Sequence, residues 1–258
     1  MLNELTKIAL RPVIRELPAD VDTPISVYLK LRGLGPSFLL ESVEGGEHLA
    51  RYSFIGAQPG AILRSWRERI GWEEDGRWRE FTPQEGDVLD VLRGLLPRYE
   101  GLPLEGLPRF TGGAVGYMGY DLVRSFERLP ARQPDTLGLP EAVFLLCDRL
   151  VIYDHVKHRL LVVAHAPAEG PGAGEAAAQA ALDEMVARLR RPLPQPAPPP
   201  RTAQHGEEFA CSFSREAFER AVVAAKEYIA QGEIFQVVLS RRIGRHTAAQ
   251  PFDIYRAL

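Results

Sequence analysis

The segment FLLES, which begins at Phe38, places two polar groups directly after three side chains typical of a protein core. A free amino acid needs an acceptor for its ammonium group, donors for its carboxylate and a pocket for its side chain. Glu41 could accept from the ammonium group, and Ser42 could donate to the carboxylate together with nearby backbone amides. Leu39 or Leu40 could line the pocket. The same pattern also fits a strand that ends at the surface, so these residues alone leave both interpretations open.

Other residues with reactive side chains do not form a recognisable catalytic or metal-binding pattern. His155 and His158 lie in the polar stretch DHVKH, where we expect a chain reversal and solvent exposure. The other histidines have no partners at ligand spacing, and neither HExxH nor a supported Ser-His-Asp arrangement is found. Cys147 and Cys211 are far apart in sequence and neither belongs to a CxxC pair, so a zinc site or a disulfide framework is not predicted.

A glycine-rich segment, TGGAVGYMGYD, has Gly113, Gly116 and Gly119 at every third position. This spacing is neither the dinucleotide fingerprint GxGxxG nor a phosphate-binding P-loop. Glycines in an extended segment more often mark a close backbone approach or a bend. We therefore predict a structural role, in which Tyr117 and Tyr120 pack over neighbouring strands; ligand contact is the alternative.

The overall composition is typical of a globular protein that binds a small molecule. Of the 258 residues, 45% are apolar and 25% are charged, and the formal net charge is −3. Acidic and basic residues are interspersed, which argues against a nucleic-acid partner or an anionic membrane surface. No apolar run approaches the roughly 20 residues needed to span a bilayer, and the N-terminus lacks a secretory signal. We expect a cytoplasmic protein without a membrane or nucleic-acid partner.

The clearest boundary in the chain is the stretch RRPLPQPAPPP, with six prolines between Pro192 and Pro200. Proline removes backbone donors and favours extended polyproline geometry, so this stretch predicts a linker. The preceding segment GEAAAQAALDEMVARLRR is rich in strong helix formers. Its apolar positions recur at helical spacing and predict one buried face, formed by Ala181, Leu182, Met185 and Leu189.

The part of the chain before this boundary reads mainly as strands and hairpins, with two further helices. Thr23 and Pro24 predict the start of one helix, which Gly33 is expected to end, and EGDVLDVLRGLLPRY predicts the other. Asp75 and Gly76 predict a tight hairpin turn. The stretch AVFLLCDRLVIYDHVKHRLLVVAHA reads as two or three antiparallel strands. Hairpins without regular βαβ alternation indicate an α+β fold with mainly antiparallel sheets flanked by helices.

After the boundary, Ser214 is expected to cap a helix with a long apolar stripe, which Gly232 ends. The segment EIFQVVLSRRI then reads as a strand. Gln236 and Ser240 lie on one face of it, either bordering a polar cavity or satisfied within a sheet. A short helix is expected from Asp253 onward. One helix, one strand and a partial helix cannot bury a core, so we expect the chain to be a portion of a longer protein.

Three segments in order, SFLLESVEGGEHLARYSFIG, FTGGAVGYMGYDLVRSFERLP and AKEYIAQGEIFQVVLSRR, closely resemble the chorismate-binding subunit of anthranilate synthase, component I. The resemblance covers almost the whole chain. It implies conversion of chorismate and ammonia to anthranilate and pyruvate with Mg²⁺, the first committed step of tryptophan synthesis. It also implies a glutamine amidotransferase subunit that supplies ammonia, and hence a hetero-oligomer.

The resemblance further implies feedback inhibition by tryptophan at an allosteric site that includes Leu39, Leu40, Glu41 and Ser42. Ser42 matches the serine most associated with this inhibition, and Arg51 is the nearest match to a basic residue that lines the site in some members. The other tryptophan contacts, the catalytic residues and the Mg²⁺ ligands are expected beyond Leu258, so no catalytic or metal residue is assigned. By this resemblance, residues 1–200 form a regulatory domain ending in the linker, and residues 201–258 begin the catalytic domain, which is truncated here.

Two alternatives remain. Aminodeoxychorismate synthase component I shares the expected fold and substrate, although the intact LLES and RYSFIG segments favour the anthranilate enzyme. A stand-alone amino-acid-binding module belongs to a different class of function.

Overall fold

The computed structural model describes residues 9–41, 51–66, 69–81, 87–99, 106–125, 127–129, 134–168, 172–194 and 209–258. The chain divides into two compact units, Met1–Pro194 and Gln195–Leu258. The domain boundary predicted at residue 200 lies outside the described residues, and the functional assignment of the two parts stays a prediction.

Within the described part of the first unit, two five-stranded sheets account for most of the regular structure. Their strands are β1 (Leu10–Pro18), β2 (Ser37–Leu40), β3 (Tyr52–Ala57), β4 (Ala61–Trp66), β5 (Arg69–Glu74), β6 (Arg77–Phe81), β7 (Gly113–Met118), β8 (Ala142–Cys147), β9 (Arg149–Asp154) and β10 (Arg159–Pro167). Helices α1 (Pro24–Leu31), α2 (Val88–Leu95) and α3 (Ala173–Leu189) lie between or after them. Every strand pair is antiparallel, so the predicted α+β fold with antiparallel sheets flanked by helices is confirmed.

The helix starts follow the capping signals in the sequence. The Thr23 hydroxyl accepts from the Ser26 backbone N–H at 3.1 Å, the Ser26 hydroxyl accepts from the Thr23 N–H at 2.9 Å, and Pro24 opens the helix. This reciprocal arrangement is a capping box. The predicted end at Gly33 needs correction. A 3₁₀ turn continues over Arg32–Leu34, and Gly35, at φ 112°, adopts the positive φ that glycine tolerates best.

Sheet 1 has the strand order β1-β10-β9-β3-β2 and buries both faces of its central strands. Successive side chains of a strand point to opposite faces. Val151 and Tyr153 of β9 therefore join one core cluster, together with Leu182 and other residues of α1 and α3. Leu150 and Ile152 join a second cluster on the opposite face. The buried helix face predicted at Ala181, Leu182, Met185 and Leu189 is confirmed, with each residue at most 7% exposed.

Sheet 2 has the order β6-β5-β4-β8-β7 and packs against α2. The predicted hairpin joins β5 to β6, with Asp75 at φ 51° and Gly76 at φ 70° in its turn. The close approach predicted for the glycine-rich segment is confirmed at Gly116 of β7, where an added Cβ would lie 1.8 Å from the Val143 carbonyl oxygen.

Strands that follow one another in the sequence are divided between the two sheets. β3 belongs to sheet 1 and β4 to sheet 2, and the chain crosses between them at Gln58, Pro59 and Gly60. It crosses back at Asp148, between β8 and β9. The Gly60 N–H donates to the Leu146 carbonyl at 2.9 Å, so the two crossings lie side by side. Apolar alternation identifies a strand but carries no information about which sheet it joins.

In the second unit, α4 (Arg215–Ala230) is capped by Ser214 as predicted, and Gly232 follows its end at φ 77°. The strand predicted over residues 233–243 is wrong. Those residues form no extended ladder, and a two-residue β12 (Ile243–Gly244) pairs with β11 (Ala210–Cys211). Phe235 is 95% exposed, and an extended run without a neighbouring strand leaves its backbone unpaired. The short C-terminal helix is confirmed as α5 (Pro251–Ala257).

Among the described helices, none combines the length and the apolar character that crossing a membrane requires.

Candidate ligand-binding site

The segment LLE lies at the end of β2, which is an edge strand of sheet 1. Leu39 pairs with Ile55 and Leu40 pairs with Phe54 on β3. Leu39 packs against the core cluster formed with α1 and α3, whereas Leu40 is 47% exposed. Glu41 follows as a half-buried residue, and Ser42 lies outside the described residues. The two leucines therefore lie on opposite faces, and one of them is available at the surface.

Arg51 lies at the same end of sheet 1 as Glu41. Because β2 and β3 are antiparallel, the chain beyond Leu40 runs toward the start of β3, and Arg51 comes directly before Tyr52, the first residue of that strand. Neighbouring strands are about 4.8 Å apart. The structure thus brings Arg51 to the end of sheet 1 at which β2 ends and β3 begins.

The Arg51 guanidinium is held by the carboxylate of Asp154, the last residue of β9. Nε of Arg51 donates to Oδ1 of Asp154 at 3.1 Å, and Nη2 donates to Oδ2 at 3.0 Å. Such two-pronged pairs are stronger and more directional than single hydrogen bonds. The guanidinium also lies over the ring of Tyr52, 4.9 Å from its centroid. These contacts fix the orientation of Arg51, whose side chain is 30% exposed.

Asp154 itself is fully buried, and several donors stabilise its charge. Oδ1 accepts from the backbone N–H groups of Val156 and Lys157, each at 3.2 Å, and Oδ2 lies 3.4 Å from Nε of Arg159. Burial alone would raise the pKa of Asp154, but the hydrogen bond from Arg51 and the bonds from these N–H groups hold the pKa below its ordinary value. Asp154 is therefore a carboxylate in the folded protein.

A second polar group lies beside it, formed by Ser53 and His155. Ser53 is buried, and its hydroxyl is 2.8 Å from Nε2 of His155, whose tautomer decides which of the two donates. The imidazole ring lies 4.6 Å from the Tyr153 ring, centroid to centroid. The exposure predicted for His155 is therefore corrected, because these contacts half-bury it. His158 is exposed as predicted.

The comparisons with known proteins agree with the family suggested by the motifs. The family model described as chorismate binding enzyme matches residues 36–258. This chain belongs to the chorismate-binding enzyme family. It is 40% identical over 253 residues to anthranilate synthase component 1 of Acetivibrio thermocellus, covering 96% of this chain and 51% of the relative. It is 41% identical over 257 residues to the Thermus thermophilus protein of the same name, again covering 96% and 51%.

A solved structure, anthranilate synthase component I from Streptococcus pneumoniae TIGR4, has a similar fold. It matches with a TM-score of 0.62 at 27% identity, over 93% of this chain and 51% of the other. The resemblance stated from the motifs is thus confirmed. The chain spans about half the length of the curated relatives it matches.

The remaining sequence candidates are Gln236 and Ser240 in the second unit and Tyr117 and Tyr120 in the first. Gln236 and Ser240 are both exposed and, with the predicted strand absent, share no strand face. The Tyr117 hydroxyl donates to the Pro140 carbonyl at 2.8 Å, and Tyr117 remains 48% exposed. Tyr120 is 89% exposed, and its predicted packing is wrong. Tyr120 lies in a 3₁₀ turn after β7 and has left the sheet.

Neither the buried Cys147 nor a cluster of metal ligands provides a reactive centre among the described residues. Burial raises the pKa of Cys147 to about 12, so this thiol stays protonated and is a poor nucleophile. No group of three or more His, Cys, Asp or Glu side chains among the described residues is placed to hold a metal ion. No Mg²⁺ ligand is therefore assigned among the residues that the structure describes, and no reaction step is assigned to them.

The residue that the sequence analysis missed is Asp154. It follows the apolar run LVIY directly, which is the same pattern that drew attention to Glu41. The stretch DHVKH was interpreted as a turn only. The partner of Asp154, Arg51, is 103 residues away in sequence, so no local pattern joins the two.

Proposed function

We propose that this chain is the regulatory half of anthranilate synthase component I, together with the beginning of its catalytic domain. The complete enzyme converts chorismate and ammonia to anthranilate and pyruvate, using Mg²⁺ bound by residues beyond this chain. A glutamine amidotransferase subunit supplies the ammonia in a cytoplasmic hetero-oligomer. The observation that carries this proposal is the match to proteins named anthranilate synthase component 1 at about 40% identity over 96% of the chain.

The role proposed for this chain is feedback control by tryptophan. Leu39, Leu40, Glu41 and Ser42 bind the amino acid, with Glu41 accepting from its ammonium group and the leucines contacting its indole. A ligand can inhibit only to the extent that it binds the inactive conformation better than the active one. The polar end of an otherwise apolar sheet edge supports this role, because it offers both kinds of contact within a few residues.

The product of the full-length protein tests the enzymatic part of the proposal. With chorismate, ammonia and Mg²⁺, we expect equimolar release of pyruvate and a fluorescent ortho-aminobenzoate, measured by a coupled pyruvate assay and by chromatography. Removal of Mg²⁺ with a chelator provides the control, since turnover of chorismate should then stop. Formation of an aminated chorismate without pyruvate would contradict the proposal.

That last outcome would identify the protein as aminodeoxychorismate synthase component I, the second candidate in the same family. It shares the chorismate-binding match, and the intact LLES segment at the end of β2 is what favours the anthranilate enzyme. The third candidate is an amino-acid-binding module without enzymatic activity. In that case residues 1–258 would bind tryptophan by themselves, and the full-length protein would not convert chorismate.

A further inference from the structure

His165, on β10, lies where the two sheets of the first unit meet. Its backbone N–H donates to the Asp148 carbonyl at 2.9 Å, and Nδ1 of its ring lies 3.1 Å from the same oxygen. Asp148 is the residue at which the chain crosses from sheet 2 to sheet 1. Because a carbonyl oxygen can only accept, Nδ1 is the protonated ring nitrogen and donates to Asp148. The side chain of His165 therefore holds this crossing against sheet 1.

Other parts of the first unit pack around the imidazole ring. The Tyr99 ring meets it edge to face, with 5.5 Å between the centroids. Tyr99 ends the 3₁₀ turn Leu96–Tyr99, which contacts both β1 of sheet 1 and β7 of sheet 2. Gly112, directly before β7, lies so close to the ring that an added Cβ would be 2.8 Å from Nε2. On β1, the residue opposite His165 is Pro12, which has no ionisable group. The half-buried imidazole thus joins elements of both sheets.

This environment favours the neutral imidazole. Burial lowers the pKa of His165, and its effect exceeds that of the hydrogen bond to Asp148 and of the Asp148 charge, which both act in the opposite direction. A second proton would attach at Nε2, beside Gly112. It would place a positive charge where the protein has already removed part of the surrounding water, which costs free energy.

The titratable and charged groups that face the ring come from the 3₁₀ turn and from the crossing. Burial raises the pKa of Tyr99 and raises the pKa of Cys147 to about 12, so both groups stay neutral. Arg98 directly precedes Tyr99 and carries a positive charge, which disfavours an imidazolium, whereas the Asp148 carboxylate favours one. Imidazole is the side chain that ordinarily changes charge between about pH 5 and pH 8, so His165 is the group of this cluster that responds there.

We propose that His165 is a pH-sensitive joint between the two sheets, closed when the imidazole is neutral and opened when it is protonated. A proton binds the open conformation more readily than the closed one, because the open ring meets water. Opening is therefore least favourable above the ordinary imidazole pKa of about 6.5 and becomes more favourable as the pH falls below it. The joint operates in this way whether or not the full-length protein forms anthranilate.

Hydrogen exchange in the full-length protein measures the opening of this joint. The His165 N–H donates to Asp148, so it exchanges when the two residues separate. Peptides covering residues 163–168 report this exchange by mass spectrometry. Protection is expressed relative to the intrinsic rate of an unstructured chain at the same pH, which removes the pH dependence of the exchange chemistry itself. From about pH 7.5 to about pH 5.5, we expect protection of these peptides to fall by at least about threefold, as proton-coupled opening requires.

The test variant is His165→Asn, which keeps a side-chain donor near the position of Nδ1 but does not titrate. Its matched control is His158→Asn, which makes the same change at an exposed position in the turn between β9 and β10. His158 has φ 47°, and asparagine tolerates a positive φ. Protection of residues 163–168 should become independent of pH in His165→Asn and should keep its pH dependence in His158→Asn.

Three results would overturn the proposal. The first is constant protection of residues 163–168 in the unmodified protein, and the second is an unchanged pH dependence in His165→Asn. The third is an equal loss of protection in β5 and β6, at the opposite edge of sheet 2 from β7, because this would show general acid unfolding. If His165→Asn does not fold, His165→Gln also lacks a titrating ring and decides the question by the same measurement.

Discussion

At the scale of single residues, position in the sheet determines what a polar side chain can do. Asp154 and Glu41 both follow an apolar run. Asp154 ends a central strand and is buried, so it needs the donors that surround it, whereas Glu41 ends an edge strand and is half-buried. A buried carboxylate positions other groups, and a carboxylate at an open edge can meet a ligand. The sequence pattern is the same for both, and only the position of each strand in the sheet distinguishes them.

Ser42 is the residue whose substitution tests the proposed regulatory site most directly. With Ser42→Ala in the full-length enzyme, we expect the tryptophan concentration for half-inhibition to rise by about tenfold, the equivalent of one lost hydrogen bond to a charged group. Turnover without tryptophan should fall far less. The change is measured as inhibition of anthranilate formation at fixed chorismate.

Ser37→Ala is the matched control for this experiment, since it makes the same chemical change at the first residue of β2. The Ser37 hydroxyl lies 3.3 Å from the Tyr28 hydroxyl and belongs to the contact with α1. Ser37→Ala should therefore leave the tryptophan concentration for half-inhibition unaltered. Equal changes with the two substitutions, or equal loss of turnover and inhibition at Ser42, would argue against the regulatory role.

At the scale of elements, the sequence predicts local structure well, but it predicts poorly which strands pair with one another. Thr23, Asp87 and Ser214 each cap a helix because their side chains satisfy N–H groups within three residues. The strand expected over residues 233–243 failed because a strand requires a neighbour, which no local signal supplies. For the same reason the sequence placed Leu39 to Glu41 at a strand end but could not place Arg51 and Asp154 together.

Gly116 tests the closest contact in sheet 2. An Ala Cβ would lie 1.8 Å from the Val143 carbonyl oxygen, so Gly116→Ala must separate β7 from β8. We expect the free energy of unfolding to fall by about 1–3 kcal/mol, as for overpacked cores, measured by denaturant titration. Gly33→Ala is the control, because an added Cβ there meets nothing within 4 Å. Similar losses at the two positions would contradict the close approach.

At the scale of the whole molecule, the buried core is unevenly distributed along the chain. All three core clusters belong to the first unit, Met1–Pro194. Among residues 209–258, none is buried, and the apolar stripe of α4 remains exposed, with Tyr228 at 54% and Ile229 at 44%. Since burial of apolar surface is the main source of stability, the two units should differ greatly in their ability to fold separately.

We therefore expect a fragment of residues 1–194 to unfold in one cooperative transition and a fragment of residues 195–258 to show none, measured by circular dichroism on heating. Leu182→Ala in the larger fragment should lower its free energy of unfolding by about 2–5 kcal/mol, because Leu182 is 1% exposed and packs between α3 and sheet 1. Leu193→Ala is the control, since that side chain is 50% exposed and should cost little. A cooperative transition in the smaller fragment would contradict the first expectation. Equal losses of unfolding free energy with Leu182→Ala and Leu193→Ala would contradict the position of the core.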